Sequence, residues 1–203
     1  MVHRKRTRED ILEAMLGRVH RKGLNGIGLN ELFKVSGASS GSFYNYFASK
    51  DELGHALIDF DWQRLKTHLI DPAATQTDDP IAQIFWMIDA LEAKHLNGGD
   101  CFGCFLGNLV VDLAEYDPAY RSHLIEVFKQ WQQAFANRLV LATAKLKPGV
   151  EPQALAEELL TLIQGVLLLG RLYQQPQRLK AGFDQVRRHL REALIEESGT
   201  GLG

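Results

Sequence analysis

The chain offers covalent chemistry in one stretch, CFGCFLGNL, where Cys101 and Cys104 stand three residues apart. Cys-x-x-C spacing suits a redox-active dithiol, half of a zinc site, or a regulatory thiol. A dithiol needs a βαβ surrounding, which the flanking sequence lacks. A zinc site needs two further ligands, and with no second cysteine pair only His95 or His123 is on offer. For a regulatory thiol the requirement is an environment that favours the thiolate. A helix beginning near Gly103 supplies free N–H groups and the positive end of a dipole, while Asp100 acts the other way. Two small buried hydrophobes at a helix start account for the same residues. Enzyme motifs are missing: there is no Gly-rich phosphate loop between a strand and a helix, no G-x-S-x-G and no HExxH. His55, His68, His95, His123 and His189 have no paired nucleophile at a telling spacing. No catalytic residue, cofactor or metal is expected. The alternatives carried forward are a redox or metal-dependent enzyme built on the cysteine pair and a helical interaction module.

A second chemistry, hydrogen bonding to a polar partner, is offered by SSGSFYNYFASK, from Ser39 to Lys50. Phe43 and Phe47 share one side of a short helix, and Ser40, Gly41, Tyr44 and Asn45 lie opposite. Small and hydrogen-bonding residues suit a face that enters a major groove. Ser39 fits the N-cap. Ser49 and Glu52 read as a capping box for the next helix, so Lys50 and the free N–H groups of that first turn make a phosphate site on the same side. Positioning this face falls to a preceding helix with Leu32, Phe33 and Val35 as its apolar side, broken at Ser36-Gly37. Gly37 supplies the positive φ that a short turn between steeply crossed helices needs. The pair is a helix-turn-helix, a pattern that also occurs in helical hairpins that bind nothing.

The remaining elements are all predicted as helices, about nine in total. Thr7 and Asp10 resemble a capping box, and Ile11, Ala14, Met15 and Val19 form a stripe that ends before Gly23. Residues His3 to Arg6 are a basic arm. A fourth helix from Lys50 carries Leu53, Ala56, Leu57, Phe60 and Leu65 and ends near Asp71-Pro72, followed by a loop from Pro72 to Asp79. The fifth begins at Pro80 and stops at Asn97-Gly98-Gly99. The sixth covers Cys104 to Glu115, and the seventh runs from Asp117-Pro118 to Lys147-Pro148-Gly149. The eighth starts near Pro152, and the ninth follows Pro176 and carries Leu194. Helix 152–173 is apolar around more than half its circumference, wider than one core requires, so it and helix 176–197 are expected to pair with a second copy as a four-helix bundle. Phe85, Trp86, Phe102, Phe105, Asn108, Trp131, Phe135 and Tyr173 are the candidates to line an effector pocket between the fifth, sixth and seventh helices, although core packing is the commoner role for any single one of the aromatics.

Gly23, the SGASSGSFYNYF run from Ser36 to Phe47, and Ser49-Lys50-Asp51-Glu52-Leu53 resemble the N-terminal DNA-binding domain of TetR/AcrR transcriptional regulators over about the first fifty-five residues. The resemblance implies an all-α, two-domain homodimer: residues 1–49 bind a palindromic operator and residues 50–203 bind a small effector and dimerise, with repression of nearby genes as the outcome. Carried over by position, it places Ser39, Ser40, Gly41, Ser42, Tyr44, Asn45 and Tyr46 at or near DNA and Lys50 on a phosphate. Ser40 stands where lysine is frequent, Tyr46 where histidine is frequent, and Ile27-Gly28 where Thr-Ser usually caps the second helix, weakening that cap by a few tenths of a kcal/mol. Gly103 to Leu109 is similar to a Gly-Cys-x-Leu-Gly-Asn-Leu signature of one subgroup. Some relatives with cysteine there sense electrophiles or oxidants, which makes Cys104 the first candidate sensor and Cys101 the second.

Bulk properties agree with a regulator. Residues 1–50 hold nine Lys/Arg against four Asp/Glu, whereas the rest hold fourteen against twenty-one, so a basic head sits on an acidic body. The apolar run from Leu159 to Gly170 is interrupted by Thr161 and Gln164 and falls short of the ~20 residues a spanning helix needs. The basic N-terminus leads into Glu9, Asp10 and Glu13 rather than an apolar signal segment, and a cytoplasmic protein is expected.

Overall fold

The computed structural model describes residues 6–196, so most of the basic arm from His3 to Arg6 lies outside the described residues. Those residues form ten α-helices: α1 (Arg8–Lys22), α2 (Leu29–Ser36), α3 (Ser40–Tyr44), α4 (Lys50–Leu65), α5 (Asp71–Gln76), α6 (Pro80–Leu96), α7 (Phe105–Leu113), α8 (Pro118–Leu141), α9 (Pro152–Tyr173) and α10 (Pro176–Glu192). A π-helical turn, Lys66–Ile70, joins α4 to α5 without a break, so the two count as one run and nine helical runs result. The chain divides into two compact units, one containing the residues up to Thr67 together with Phe102–Phe128, the other His68–Cys101 together with the chain from Lys129.

In the first unit the predicted caps form. Thr7 Oγ1 accepts from Asp10 N and Asp10 returns a bond to Thr7 N, opening α1. Gly28 caps α2 without a side-chain bond, and Gly37 closes it at φ 65°. Ser39 accepts from Ser42 N at the start of α3. At α4, Ser49 accepts from Glu52 N, while the Glu52 carboxylate reaches Ala48 N rather than Ser49 N, one residue further than a closed capping box. Ile11, Met15, Ile27, Leu32, Phe43, Phe47, Leu53 and Leu57 are buried and fuse α1 to α4 into one core. The Glu31 carboxylate is bonded by Arg18 and Lys22, with Arg18 the larger influence, and the two cations hold it below the usual carboxylate range.

In the second unit α10 packs on α9 and on α6, and α5 on α6. Ile84, Ile88, Leu91, Trp131, Phe135, Leu159, Ile163, Phe183 and Val186 are buried and belong to its core. Arg187 ties α10 to α6 through Asp89 (2.7 Å) and Glu92.

Three expected boundaries move. The loop from Pro72 to Asp79 shrinks to the residues after Gln76, because Pro72 falls in the first turn of α5, just past a π turn in which the regular hydrogen-bond ladder is already interrupted. Arg138 Nη2 donates to the Ile70 carbonyl, 2.8 Å away, supporting the turn. Helix α8 ends at Leu141 rather than at Lys147, where the Thr143 hydroxyl bonds the Val140 carbonyl and a 3-10 turn follows. The last helix, expected over 176–197, ends at Glu192: Leu194 pairs with Leu146 in an isolated antiparallel bridge, with Lys147 N bonded to Ala193 O and Ile195 N to Lys145 O.

Candidate nucleic-acid interface and thiol region

The α3 face is presented as its sequence requires. Phe43 and Phe47 are fully buried, while Ser39, Ser40, Gly41, Tyr44 and Asn45 are exposed and Ser42, Tyr46 and Lys50 are partly exposed. Helix α3 ends at Tyr44, so Phe47 anchors the segment from beyond the helix; Phe43 lies 5.3 Å from it and 5.5 Å from Phe33, centroid to centroid. The Arg8 guanidinium sits over the Phe47 ring. Lys50 opens α4, where the first-turn N–H groups lie just past the Ser49 cap.

Cys101 and Cys104 are both buried, and neither is in a disulfide. Cys104 is the N-cap of α7, one residue later in the chain than the predicted start near Gly103, and its Sγ accepts from Gly107 N at 3.3 Å. Gly103, at φ 77°, makes the bend before it. Cys101 belongs to the second unit, where the Gln174 side chain embraces its peptide, Oε1 accepting from Cys101 N and Nε2 donating to Cys101 O. Its Sγ lies against Gly170, 3.2 Å from where a Cβ would stand.

The proposed pocket residues do not share one environment. Phe102, Phe105 and Asn108 belong to the first unit, and Asn108 Nδ2 donates to Phe102 O at 2.8 Å. Trp131 and Phe135 are fully buried in the second unit, Phe85 and Trp86 are half-buried, and the Arg191 guanidinium covers the Phe85 ring. Tyr173 points to the outer groove of α9 and α10, exposed beneath Arg178 rather than turned toward α6. Sequence reasoning missed a set of contacts in the first unit. The Asp112 carboxylate accepts from Leu24 N (2.6 Å) and Asn25 N (3.2 Å), and Asn25 Nδ2 donates to Asp112 O (2.8 Å). His20 Nε2 lies 2.9 Å from Gly103 O, with its ring edge-on to Phe102 and Phe105. His55 Nδ1 and His123 Nδ1 are 2.9 Å apart, and His123 Nε2 is 2.8 Å from Asp59 Oδ1. Tyr120 stacks on His55 and its hydroxyl donates to Asp51 O; burial, more than the neighbouring Asp51 charge, keeps that phenol protonated well above its ordinary range. Among the described residues no group of three His, Cys, Asp or Glu is placed to hold a metal ion, and no helix is long and apolar enough to cross a membrane.

Residues 84–194 match the family model described as tetracyclin repressor-like, C-terminal domain, and residues 9–57 that of bacterial regulatory proteins, tetR family. The chain belongs to the TetR family. It is thereby a transcriptional regulator, a DNA-binding dimer of TetR type and not an enzyme. An HTH-type transcriptional regulator in the lacX 3' region of Lactococcus lactis subsp. lactis is 32% identical over 88% of this TetR-family chain and 90% of its own length. The regulatory protein TetR from Rhodobacter sphaeroides has a crystal structure that superposes with a TM-score of 0.80 at 28% identity, over 89% of this chain and 97% of that one. The HTH-type transcriptional repressor NemR of Escherichia coli is 31% identical over 54% of this chain and 56% of its own length. The crystal structure of its reduced form superposes at 22% identity with a TM-score of 0.77, over 94% of this chain and 98% of that one, a likeness of fold.

Proposed function

We propose that this TetR-family regulator is a repressor that holds a palindromic operator through α3 and is released by a small effector or by modification of Cys104. The observation that carries the DNA reading is the division of α3, with two fully buried phenylalanines behind it and an exposed row of Ser40, Gly41, Tyr44 and Asn45 in front. Ser39, Ser42 and Tyr46 complete the DNA contact set, and Lys50 with the α4 N-terminus takes a phosphate. On this reading residues 1–49 bind DNA, and the remainder receives the effector and dimerises. Two copies join through α9 and α10. Helix α9 exposes Leu162, Leu168, Leu169 and Leu172 and, with α10, frames a shallow groove of about 440 Å³ floored by Gly165 and Gly182, so a second apolar helix pair fits against it. The two α3 helices then lie about one DNA turn apart, ~34 to 36 Å.

The thiol reading rests on the place of Cys104. Its sulfur receives an amide hydrogen bond at the start of a nine-residue helix, where the dipole favours negative charge. The Gly103 to Leu109 stretch resembles the Gly-Cys-x-Leu-Gly-Asn-Leu signature of one subgroup. A reversible effector would be an apolar small molecule lodged in the second unit among Phe85, Trp86, Trp131 and Phe135, and a covalent one an electrophile at Cys104 or, secondarily, at Cys101. Footprinting on the adjacent intergenic DNA, with and without N-ethylmaleimide, tests both parts. Protection lost on alkylation is the expected result. No protected site would refute operator binding; protection indifferent to alkylation, with both thiols unreactive by mass spectrometry of the native protein, would refute the thiol switch.

A further inference from the structure

Helix α7 is strapped to the α1–α2 corner at both of its ends, and all of these contacts lie within the first unit. At its C-terminal end the backbone of Gly23, Leu24 and Asn25 closes around the Asp112 carboxylate. Successive N–H groups of Leu24 and Asn25 converge on one oxygen, the arrangement by which a backbone nest binds an anion. Gly23, at φ 74°, comes so close that a Cβ there would stand 2.9 Å from all three carboxylate atoms. The Asn25 amide then returns a bond to the Asp112 carbonyl. Before its N-terminal end the Gly103 carbonyl pairs with His20, and Phe102 lies beneath the Arg21 guanidinium. The next residue is Cys104, the cap.

We infer that Asp112 is the positioning residue that couples the Cys104 end of α7 to the DNA-reading head. The inference rests on the reading of Cys104 as a switch. A change at the cap shifts the first turn of α7; the strap carries that shift to the α1–α2 corner, on which α2 and so the helix-turn-helix are mounted. Cutting the strap at Asp112 leaves the cap in place and frees the C-terminal end of α7, so that the helix can pivot on the remaining His20–Gly103 tie without moving the corner. The claim is one of coupling between two sites, so it is tested by a coupling measurement rather than by a loss of affinity alone.

The experiment measures operator affinity by fluorescence anisotropy for the full-length protein and for Asp112→Ala, Asp112→Asn and Asn25→Ala, each before and after alkylation of Cys104 with N-ethylmaleimide. The wild type is expected to lose about tenfold or more on alkylation, within the usual span of such couplings. Asp112→Ala should start weaker and lose less than about twofold further. The milder Asp112→Asn and Asn25→Ala should fall between and keep the strap testable if Asp112→Ala fails to fold. A full tenfold loss on alkylation in every variant would overturn the inference, since the strap would then be structural only. If the wild type itself ignores alkylation, the thiol reading fails instead, and amide exchange decides the strap. Leu24 and Asn25 amides should exchange slowly in the wild type, slower still on operator, and faster in Asp112→Ala. Fast exchange of both in the wild type would overturn it.

Discussion

Replacing Gly54 with alanine pits a backbone gain against a steric loss whose size the structure fixes. Gly54 lies inside α4, where alanine in place of glycine gains about 1 kcal/mol of helix propensity. A Cβ at this position would stand 2.6 Å from Leu24 Cδ2 and 2.8 Å from Tyr120 Cζ, and closer still to the Tyr120 hydroxyl oxygen. Leu24 can swing its methyl aside. Tyr120 is 2% exposed, and its hydroxyl is committed to Asp51 O at 3.0 Å. Moving the ring sacrifices that bond in a buried place, at about 1–3 kcal/mol. Forcing an extra carbon into a packed site costs about 1–3 kcal/mol more. The loss outweighs the gain, and Gly54→Ala should destabilise the protein by about 1–5 kcal/mol in urea denaturation followed by far-ultraviolet circular dichroism. Tyr120→Phe deletes the atom in the closest conflict. It should cost about 1 kcal/mol in the wild type, yet gain up to about 1 kcal/mol in the Gly54→Ala background, giving a coupling of about 1–2 kcal/mol. A Gly54→Ala protein as stable as the wild type would refute the reasoning, and so would a Tyr120→Phe cost that is the same in both backgrounds.

Lys50→Ala should weaken binding to all duplexes about equally and lower the slope of log K against log salt by about 2, one phosphate per copy, whereas Asn45→Ala should change which sequences bind; an unchanged slope removes Lys50 from the phosphate. Because Arg18 and Lys22 depress the Glu31 carboxyl in the folded chain, its contribution is present above the unfolded pKa and is lost as the pH falls through the folded one. Urea titrations of wild type and Glu31→Gln across the acidic carboxylate range should therefore converge as the pH drops, and a constant gap would contradict the ion pair. Leu172→Glu, on the exposed face of α9, should raise the dimer dissociation constant by roughly a thousandfold, since ~2 kcal/mol is lost in each copy; sedimentation velocity at micromolar concentration reads the result, and an unshifted dimer would place the interface elsewhere.

The helix-turn-helix was legible because its determinants are local. Gly37, Ser39, Ser49 and the Phe43/Phe47 pair each act within a few residues, and each does in the fold what its type implies. Helix α9 was legible for the same reason, its start marked by Pro152 and its breadth by leucines on both faces. The failures came where a local signal met a distant partner. Pro72 reads as a stop, yet a π turn carries the helix through it. Leu194 keeps the spacing of Leu190, yet Leu146 claims it for a bridge. Of the candidate site, the DNA face could be read from residues alone, but the strap joins His20 to Gly103 and Leu24 to Asp112 across 83 and 88 positions, and no periodicity reports a contact of that kind.

The imidazole pair between α4 and α8 has its hydrogens assigned by a surface carboxylate. Asp59 Oδ1 can only accept, so the hydrogen of a neutral His123 must sit on Nε2, leaving its Nδ1 as a lone pair. His55 can close the 2.9 Å gap only by donating from its own Nδ1. One exposed side chain thus selects the tautomer of two rings in series, the second of which it never touches, and nitrogen-15 spectra of Asp59→Ala should show both rings released to choose again.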